Sequence, residues 1–358
     1  MLRRLELAQQ LDRVSPKLQR EGWRLEEPPQ AHVNRWTAPS GQTVHTFTTR
    51  TEPRFVFAYN PFDNDMDRMA RKGVLEPAMT LAWHATTHAC CRDARGIVVD
   101  VGGNFGWYTL YSIALGCRVL VLEPVSAWLE ILTLGLSLNP GFADRVRIGQ
   151  NVVYPEAGNF TLHVPRTVEE KNKRVFLGMT YMNGSAGQIK GYTSDRTYPH
   201  VARSIRLDDL VHSNVCLLKA DVEGYEPQAL HTAQRVFAEH RVYALQLEMT
   251  KSQSLGQTCA SIKLLEHLDA IGYRFKMASH NVVDAANVPA IGEWRNASGF
   301  ERLADFPSIS ARVFGKTTAS TPMHAAYHRD FTTFSTNLFA VREDWWRGPV
   351  LPWPSLTC

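Results

Sequence analysis

One stretch limits what this chain can fold into more than any other: residues 97–124, IVVDVGGNFGWYTLYSIALGCRVLVLEP. Ile97, Val98, Val99 and Val101 form a short β-branched run, the pattern of a strand buried on both faces of a parallel sheet. Gly102, Gly103 and Gly106 predict a sharp backbone turn able to approach a ligand closely. Trp107 to Leu115 reads as a helix, with Gly116 suited to its C-terminal cap. Arg118–Leu122 reads as the next strand, with Glu123 at its tip. Strand, glycine turn, helix and strand make one βαβ nucleotide-binding half.

The turn discriminates between ligands. A dinucleotide site needs G-x-G-x-x-G and an acid about 20 residues further on that grips a ribose hydroxyl. Glu123 satisfies the spacing, but Asn104 replaces the middle glycine. Asp100 also stands just ahead of the turn, where its charge opposes a pyrophosphate. A cationic sulfonium carrying a methionyl ammonium has the opposite preference, and its carboxylate can still use the amides at the helix start. Asp100 with a ribose-binding Glu123 therefore favours S-adenosylmethionine over NAD. Pro124 follows the acid, and Arg145–Val153 reads as a third strand ending near Asn151, a candidate for the adenine ring nitrogens.

A second informative stretch is VCLLKADVEGYE, residues 215–226. Val215–Ala220 predicts a central strand in which Val215, Leu217, Lys219 and Asp221 share a face. A lysine inside such a strand needs partners, and Asp221 and Glu223 are the expected ones. Asp221, Glu223 and Glu226 follow the strand closely, with Gly224 providing the turn. Ligands of open α/β sheets bind outside the carboxyl ends of strands, which assigns this cluster to the site. Glu226 is also suited to a helix N-terminus.

Around these two stretches, residues 1–80 read as an N-terminal extension: a short Leu7, Leu11, Val14, Leu18 stripe, a hairpin within His32–Thr49 and a strand at Arg54–Tyr59. Asp63-Asn64-Asp65-Met66-Asp67 opens like a calcium loop, but Arg68 and Val74 occupy the positions that need glycine and glutamate. His84 and His88, four apart with Cys90 and Cys91 beyond, have ligand chemistry but no second ligand pair, so helix packing explains them more simply than zinc. Later segments predict a helix at Ser126–Asn139, strands at Asn159–Val164 and Ser204–Leu207, and a long loop over Lys171–Pro199. A helix at Pro227–His240, a strand at Arg241–Leu247 ending at Glu248, a helix at Ile262–Ile271 and strands at Tyr273–Met277 and Asn337–Val341 complete the series. Val282–Pro322 reads as irregular.

VVDVGGNFGWYT, VLEP, SIRLDDL, LLKADVEGYE, ALQLE, the GYRF segment and NLFAVRE together resemble the FkbM-type methyltransferases, over roughly residues 96–343. The resemblance implies an α/β fold: a class I methyltransferase Rossmann-like, seven-stranded, mostly parallel sheet with helices on both faces and its last strand antiparallel. Residues 81–345 are then expected to form that domain; the irregular insert near 280–330 and the N-terminal extension over 1–80 depart from the family core, and 346–358 reads as a C-terminal tail. The resemblance also implies methyl transfer to a hydroxyl of a sugar, glycan or polyketide-like molecule. Asp100, Gly102, Gly103, Asn104, Gly106, Glu123, Pro124 and Asn151 are then the expected cofactor residues. Asp221, Lys219, Glu223 and Glu248 are the expected acceptor-side residues, with Asp221 as base and Mg²⁺ held by Asp221, Glu223 and Glu248 as an alternative. An NAD-dependent oxidoreductase and a non-catalytic cofactor-binding scaffold are the rival readings.

A formal charge of +4, from 39 basic and 35 acidic residues, gives no argument for nucleic acid. No apolar run reaches the length of about 18 residues that a membrane span requires. Six scattered cysteines do not form a dense disulfide framework. Cys117 and Cys216 read as small buried apolar residues in core strands. The default compartment is the reduced cytoplasm, a secretory lumen being the alternative. Three N-x-S/T sequons, at Asn159, Asn183 and Asn296, are no more than chance supplies in a chain of 358 residues.

Overall fold

The computed structural model describes residues 16–26, 33–166, 181–182, 197–250, 255–278, 335–342 and 352–356. Among the described residues, a helical segment over 16–20 precedes an antiparallel sheet of β1 (Arg24–Glu26), β2 (Asn34–Thr37), β3 (Thr43–Thr48) and β4 (Val56–Tyr59), in that spatial order. The would-be calcium loop is the start of helix α1 (Asn64–Lys72), where Asp63 Oδ1 accepts the Met66 amide at 3.0 Å as an N-terminal cap. Helix α2 (Pro77–Arg92) leads into β5 (Ile97–Val101), α3 (Trp107–Ala114), β6 (Val119–Leu122), α4 (Ser126–Ser137) and β7 (Val146–Gly149).

After Gly149 the chain leaves the main sheet. The expected third strand is therefore two strands, because β8 (Val152–Val153) pairs in parallel with a different sheet. That sheet has the order β10-β9-β11-β8, with β9 (Asn159–Pro165), β10 (Tyr181–Met182) and β11 (Thr197–Ile205). Thr197–Pro199, expected as loop, belongs to β11; residues 171–180 and 183–196 of that expected loop lie outside the described residues, as does the irregular stretch 282–322. The chain then returns through β12 (Val215–Ala220), α5 (Glu226–His231), α6 (Gln234–Glu239), β13 (Ala244–Thr250), α7 (Leu255–Ala270), β14 (Tyr273–Ala278) and β15 (Ser335–Arg342).

The main sheet has the order β14-β15-β13-β12-β5-β6-β7. All its neighbours pair in parallel except β15, which runs antiparallel between β13 and β14. The strand order reverses between β5 and β12: the chain steps outward from β5 to β6 and β7, then comes back to the other side of β5. The carboxyl ends of β5 and β12 are thus a topological switch point, where open α/β sheets leave a crevice.

Alternation along the strands loads both faces. Val98, Val121 and Leu217 join one apolar core with α3, α4 and the N-terminal sheet, while Val99, Leu120 and Leu218 join another with α5, α6 and α7. Val215 falls in the second core, not on the face of Leu217 and Lys219 as strict alternation predicts, because the register with β5 shifts between Val215 and Leu217. Asn139 docks the N-terminal sheet at the end of α4: its Oδ1 accepts the Val56 amide at 2.9 Å and its Nδ2 donates to the Val56 carbonyl at 2.7 Å.

The cysteines correct the sequence reading. Cys117 and Cys216 are not free apolar residues: Cys91 is bonded to Cys117 and Cys90 to Cys216. Cys259 is disulfide-bonded as well. The two described bridges fasten the C-terminal turn of α2 to the amino ends of β6 and β12, opposite the switch-point crevice. With both cysteines consumed and His84 Nδ1 2.7 Å from the Tyr111 hydroxyl, the His84–Cys91 series is helix packing.

Candidate active site

The glycine turn crosses the mouth of the crevice between β5 and β12. Gly102, Asn104 and Gly106 all have positive φ, of 76°, 49° and 86°. A Cβ on Gly102 would lie 2.0 Å from the Asp221 carbonyl oxygen, one on Gly103 2.3 Å from Val121, and one on Gly106 2.2 Å from Leu132. These glycines are therefore required by the close approach of other protein groups. Gly102 in particular presses the turn directly against the exit of β12.

Lys219 locks that contact. Asp100 and Lys219 are register partners on adjacent strands, so their side chains project from the same face. Lys219 Nζ stands 3.4 Å from Asp100 Oδ1 and 3.3 Å from Asp221 Oδ2, and donates to the Gly102 carbonyl at 2.8 Å. The second carboxylate partner of Lys219 is thus Asp100, where Glu223 was expected. Burial alone would lower the lysine pKa, but Asp221 and Asp100 outweigh it and hold the ammonium charged, above its usual range. Asp100 is 1% exposed, and its Oδ2 also accepts from Thr109 Oγ1 at 2.6 Å. Its charge is directed into the fold, whereas the Asp221 side chain stays about one-third exposed, at 34%.

Glu123 braces the other side of the turn. Its Oε2 accepts the Asn104 amide at 2.8 Å and its Oε1 the Val125 amide at 2.9 Å. Burial raises its pKa to about 7, against the lowering effect of those two amides. The Asn104 Oδ1 is buried with no hydrogen-bond partner among the described residues, an acceptor in search of a donor. Pro124 offers its carbonyl to His200 Nε2 at 2.8 Å. Asn151, beyond the end of β7, donates from Nδ2 to the Arg203 carbonyl at 3.1 Å.

The acids after β12 form a tight turn in which Glu223 and Gly224 are both left-handed, with φ of 56° and 95°. A non-glycine residue in this region costs of order 1–3 kcal/mol and persists only where its surroundings enforce it. Glu226 enforces it: its Oε1 accepts the amides of both Val222, at 3.0 Å, and Gly224, at 3.2 Å. Glu226 is therefore a structural brace, with a pKa raised by burial to about 7. Glu223 is half-buried; desolvation, then the charges of Asp221 and Glu226, push its carboxyl well above the ordinary range. Glu248 follows Leu247, the register partner of Ala220, which brings it level with Asp221 at the carboxyl end of the next strand. Among the described residues no group of three or more His, Cys, Asp or Glu side chains is arranged to hold a metal ion, the Asp221, Glu223, Glu248 trio included.

Residues 100–276 match the model of the methyltransferase FkbM domain, an interval that starts at Asp100 and contains every expected site residue. Over those residues, just under half of its length, the chain carries an FkbM methyltransferase domain. Among the solved structures it is similar to is a crystal structure of methyltransferase FkbM from Methylobacillus flagellatus KT, at 18% identity and a TM-score of 0.34. That match covers 52% of this chain and 40% of the other. No curated protein matches.

The FkbM domain does not hold the whole neighbourhood of the turn. Ahead of it, Glu76 adopts φ 37° at the start of α2 and accepts from the Tyr108 hydroxyl at 2.7 Å, at the start of α3. Trp107 Nε1 donates to Thr80 Oγ1 at 3.0 Å alongside. Two helix N-termini are thereby joined beside the glycine turn, and the Tyr108 pKa is raised by burial and by Glu76, with smaller contributions from Asp221 and Asp100. Sequence reasoning assigned Glu76 to a non-catalytic extension and gave Tyr108 no role; the Glu76-Pro77 step, a helix-start signal, was the one local cue.

Proposed function

We propose that this chain is an S-adenosylmethionine-dependent O-methyltransferase, built on the class I Rossmann-like sheet, whose acceptor is a sugar hydroxyl. The observation that carries the reading is the acceptor-rich crevice at the switch point. Asn104 Oδ1 lacks a donor among the described residues, Glu123 accepts the Asn104 amide, and Asp221 is joined to the same turn through Lys219. Such a set fits a cationic, donor-bearing ligand and opposes a pyrophosphate. Asn104, Glu123, Pro124 and Asn151 would hold it through their side chains and carbonyls, because the amides of Gly102, Gly103, Asn104 and Gly106 are already bonded within the protein. When bound, S-adenosylmethionine supplies a methyl group on a sulfonium, already activated for displacement.

The chain's own part is alignment and removal of one proton. Asp221, fixed by Lys219 yet open to solvent, accepts the proton of the acceptor hydroxyl as that oxygen acidifies during bond formation. Glu223 follows Asp221 at the same strand exit as a second carboxyl on the acceptor side, its proton held more tightly than usual by burial and by Asp221. Glu248 lines the adjacent strand end. The preference for a sugar rests on aromatic rings in the same region: Tyr225 follows the Glu223 turn, and its ring centroid lies 5.9 Å from that of Tyr154, itself 4.8 Å from Phe160. All three are half-buried and keep an edge in solvent, as a sugar-packing surface requires.

The test is incubation of labelled donor with a panel of glycans and polyketides, using the parent and Asp221→Asn. The parent should label a sugar, and the variant should lose about 10²-fold or more of turnover while binding the donor as tightly. Full turnover by the variant would remove Asp221 from the base role. Loss of the parent's activity in excess EDTA would replace proton abstraction by Asp221 with metal-assisted acidification of the hydroxyl.

A further inference from the structure

We propose that the chain matures in an oxidising compartment and carries an N-linked glycan on Asn159. Two independent observations meet here. The first is the pairing of the cysteines. Cys90 and Cys91 are adjacent on one helix, yet each meets a different strand, across sequence separations of 126 and 26 residues and at Cα–Cα distances of 5.6 and 4.7 Å. Those spacings are within the normal range for bridges. Four cysteines that distant in sequence do not converge in two bridging pairs by accident, and Cys259 is bonded too. Bridges of this kind form and persist in secretory lumens and are rare in reducing cytosol.

The second observation is the local geometry of one sequon. Asn159-Phe160-Thr161 opens β9, so period-two alternation turns Asn159 and Thr161 to one side and Phe160 to the other. Asn159 and Thr161 are exposed, while the Phe160 ring packs on Tyr154 at 4.8 Å between centroids. Acceptor amide and hydroxyl thus share the outer face of the β9–β11 ladder. Across from them stand Arg203, the register partner of Asn159, and Val201, the partner of Thr161. Val201 is 60% exposed, the most open large hydrophobic residue among the described residues. An N-acetylglucosamine attached to Asn159 would place the apolar face of its ring within reach of that side chain. The sequons at Asn183 and Asn296 lie outside the described residues.

The chemistry balances with a lipid-pyrophosphate-linked oligosaccharide as co-substrate, delivered by the compartment's oligosaccharyl transferase. The Asn159 amide nitrogen bonds to the anomeric carbon, the anomeric C–O bond to pyrophosphate breaks, the lipid pyrophosphate leaves, and the nitrogen gives up one proton. The two disulfides arise by exchange with a protein disulfide oxidant, which is reduced as four thiols are oxidised.

The experiment is expression of the full chain behind a cleavable secretory leader in a eukaryotic cell, followed by peptide mapping under non-reducing conditions. Enzymatic deglycosylation in heavy-oxygen water should leave labelled aspartate at position 159, and the same sample should contain the Cys90–Cys216 and Cys91–Cys117 peptides. Asn159→Gln and Thr161→Ala should each remove one glycan, and Thr161→Ser should retain it; the pair at position 161 separates loss of the sequon from misfolding. An unmodified Asn159 peptide in the secreted chain, occupancy at Asn183 or Asn296 with Asn159 bare, or four free thiols would each overturn the proposal.

Discussion

Replacing Lys219 with methionine should be among the most damaging single changes in the sheet. Lys219 is 3% exposed and Asp100 1% exposed, so the substitution leaves a carboxylate in the core with one hydrogen bond, from Thr109. Removing one member of a buried pair costs about 3–5 kcal/mol, against a typical domain stability of about 5–15 kcal/mol. Methionine nearly matches the volume of lysine, so little of that loss comes from packing. The Asp221 side chain, 34% exposed, can recover water and adds little to the penalty. Urea unfolding at pH 7 should show a lower midpoint with an unchanged slope. Adding Asp100→Asn to Lys219→Met removes the stranded charge and should restore at least about half of the loss, because a neutral replacement of a buried pair is often near-neutral. If Lys219→Met unfolds within about 1 kcal/mol of the parent, or if Asp100→Asn worsens it, the inference that Lys219 compensates Asp100 is wrong.

Other consequences follow from the bridges and the buried acids. Loop-closure entropy assigns the 26-residue bridge about 3.5 kcal/mol and the 126-residue bridge about 5 kcal/mol. Reductant should therefore lower the urea midpoint sharply, and equal midpoints with and without reductant would count against the bridges. Glu226 has a folded pKa of about 7 against an ordinary value of 4.5. An acid with a raised folded pKa contributes stability that is full below its unfolded pKa and is lost as pH rises through its folded one. The difference of about 2.5 units is worth about 3 kcal/mol, so the chain should weaken between pH 5 and pH 8. Glu226→Gln should flatten much of that slope while keeping the fold, because a single oxygen, Oε1, accepts both amides and a carboxamide oxygen can do the same. A slope unchanged by this variant would exclude Glu226 as its source. Glu123 uses both oxygens, so Glu123→Gln places an NH₂ against a backbone amide and should destabilise by about 1–3 kcal/mol.

What was legible in the sequence is what depends on neighbours along the chain. β5, the glycine turn, α3, β6 and β12 follow from β-branched runs, glycine spacing and period, and they lie where those signals put them. Contacts that depend on register were not legible. Asp100 faces Lys219 only because β5 and β12 are adjacent with those residues in register, which no local pattern encodes. The cysteine pairs are hidden for the same reason, since sequence spacing says nothing about where α2 lies on the sheet. The helix expected over 227–240 is broken at Thr232-Ala233 by bonds from afar. Thr232 Oγ1 accepts the Leu207 amide at 3.0 Å, and Asp208 Oδ1 accepts the amides of Arg235, at 2.9 Å, and Val236, at 3.1 Å, at the start of α6. The glycines were located correctly, but the partners that require them are Asp221, Val121 and Leu132.

The most direct test of a crevice built for a cationic methyl donor is calorimetric titration of the full chain with S-adenosylmethionine and, separately, with NADH. Saturable one-site binding of S-adenosylmethionine, weakened at least about tenfold by Asn104→Leu, with no heat from NADH at the same concentrations, is the predicted result. Binding of NADH with none of S-adenosylmethionine would contradict it and return the glycine turn to dinucleotide chemistry.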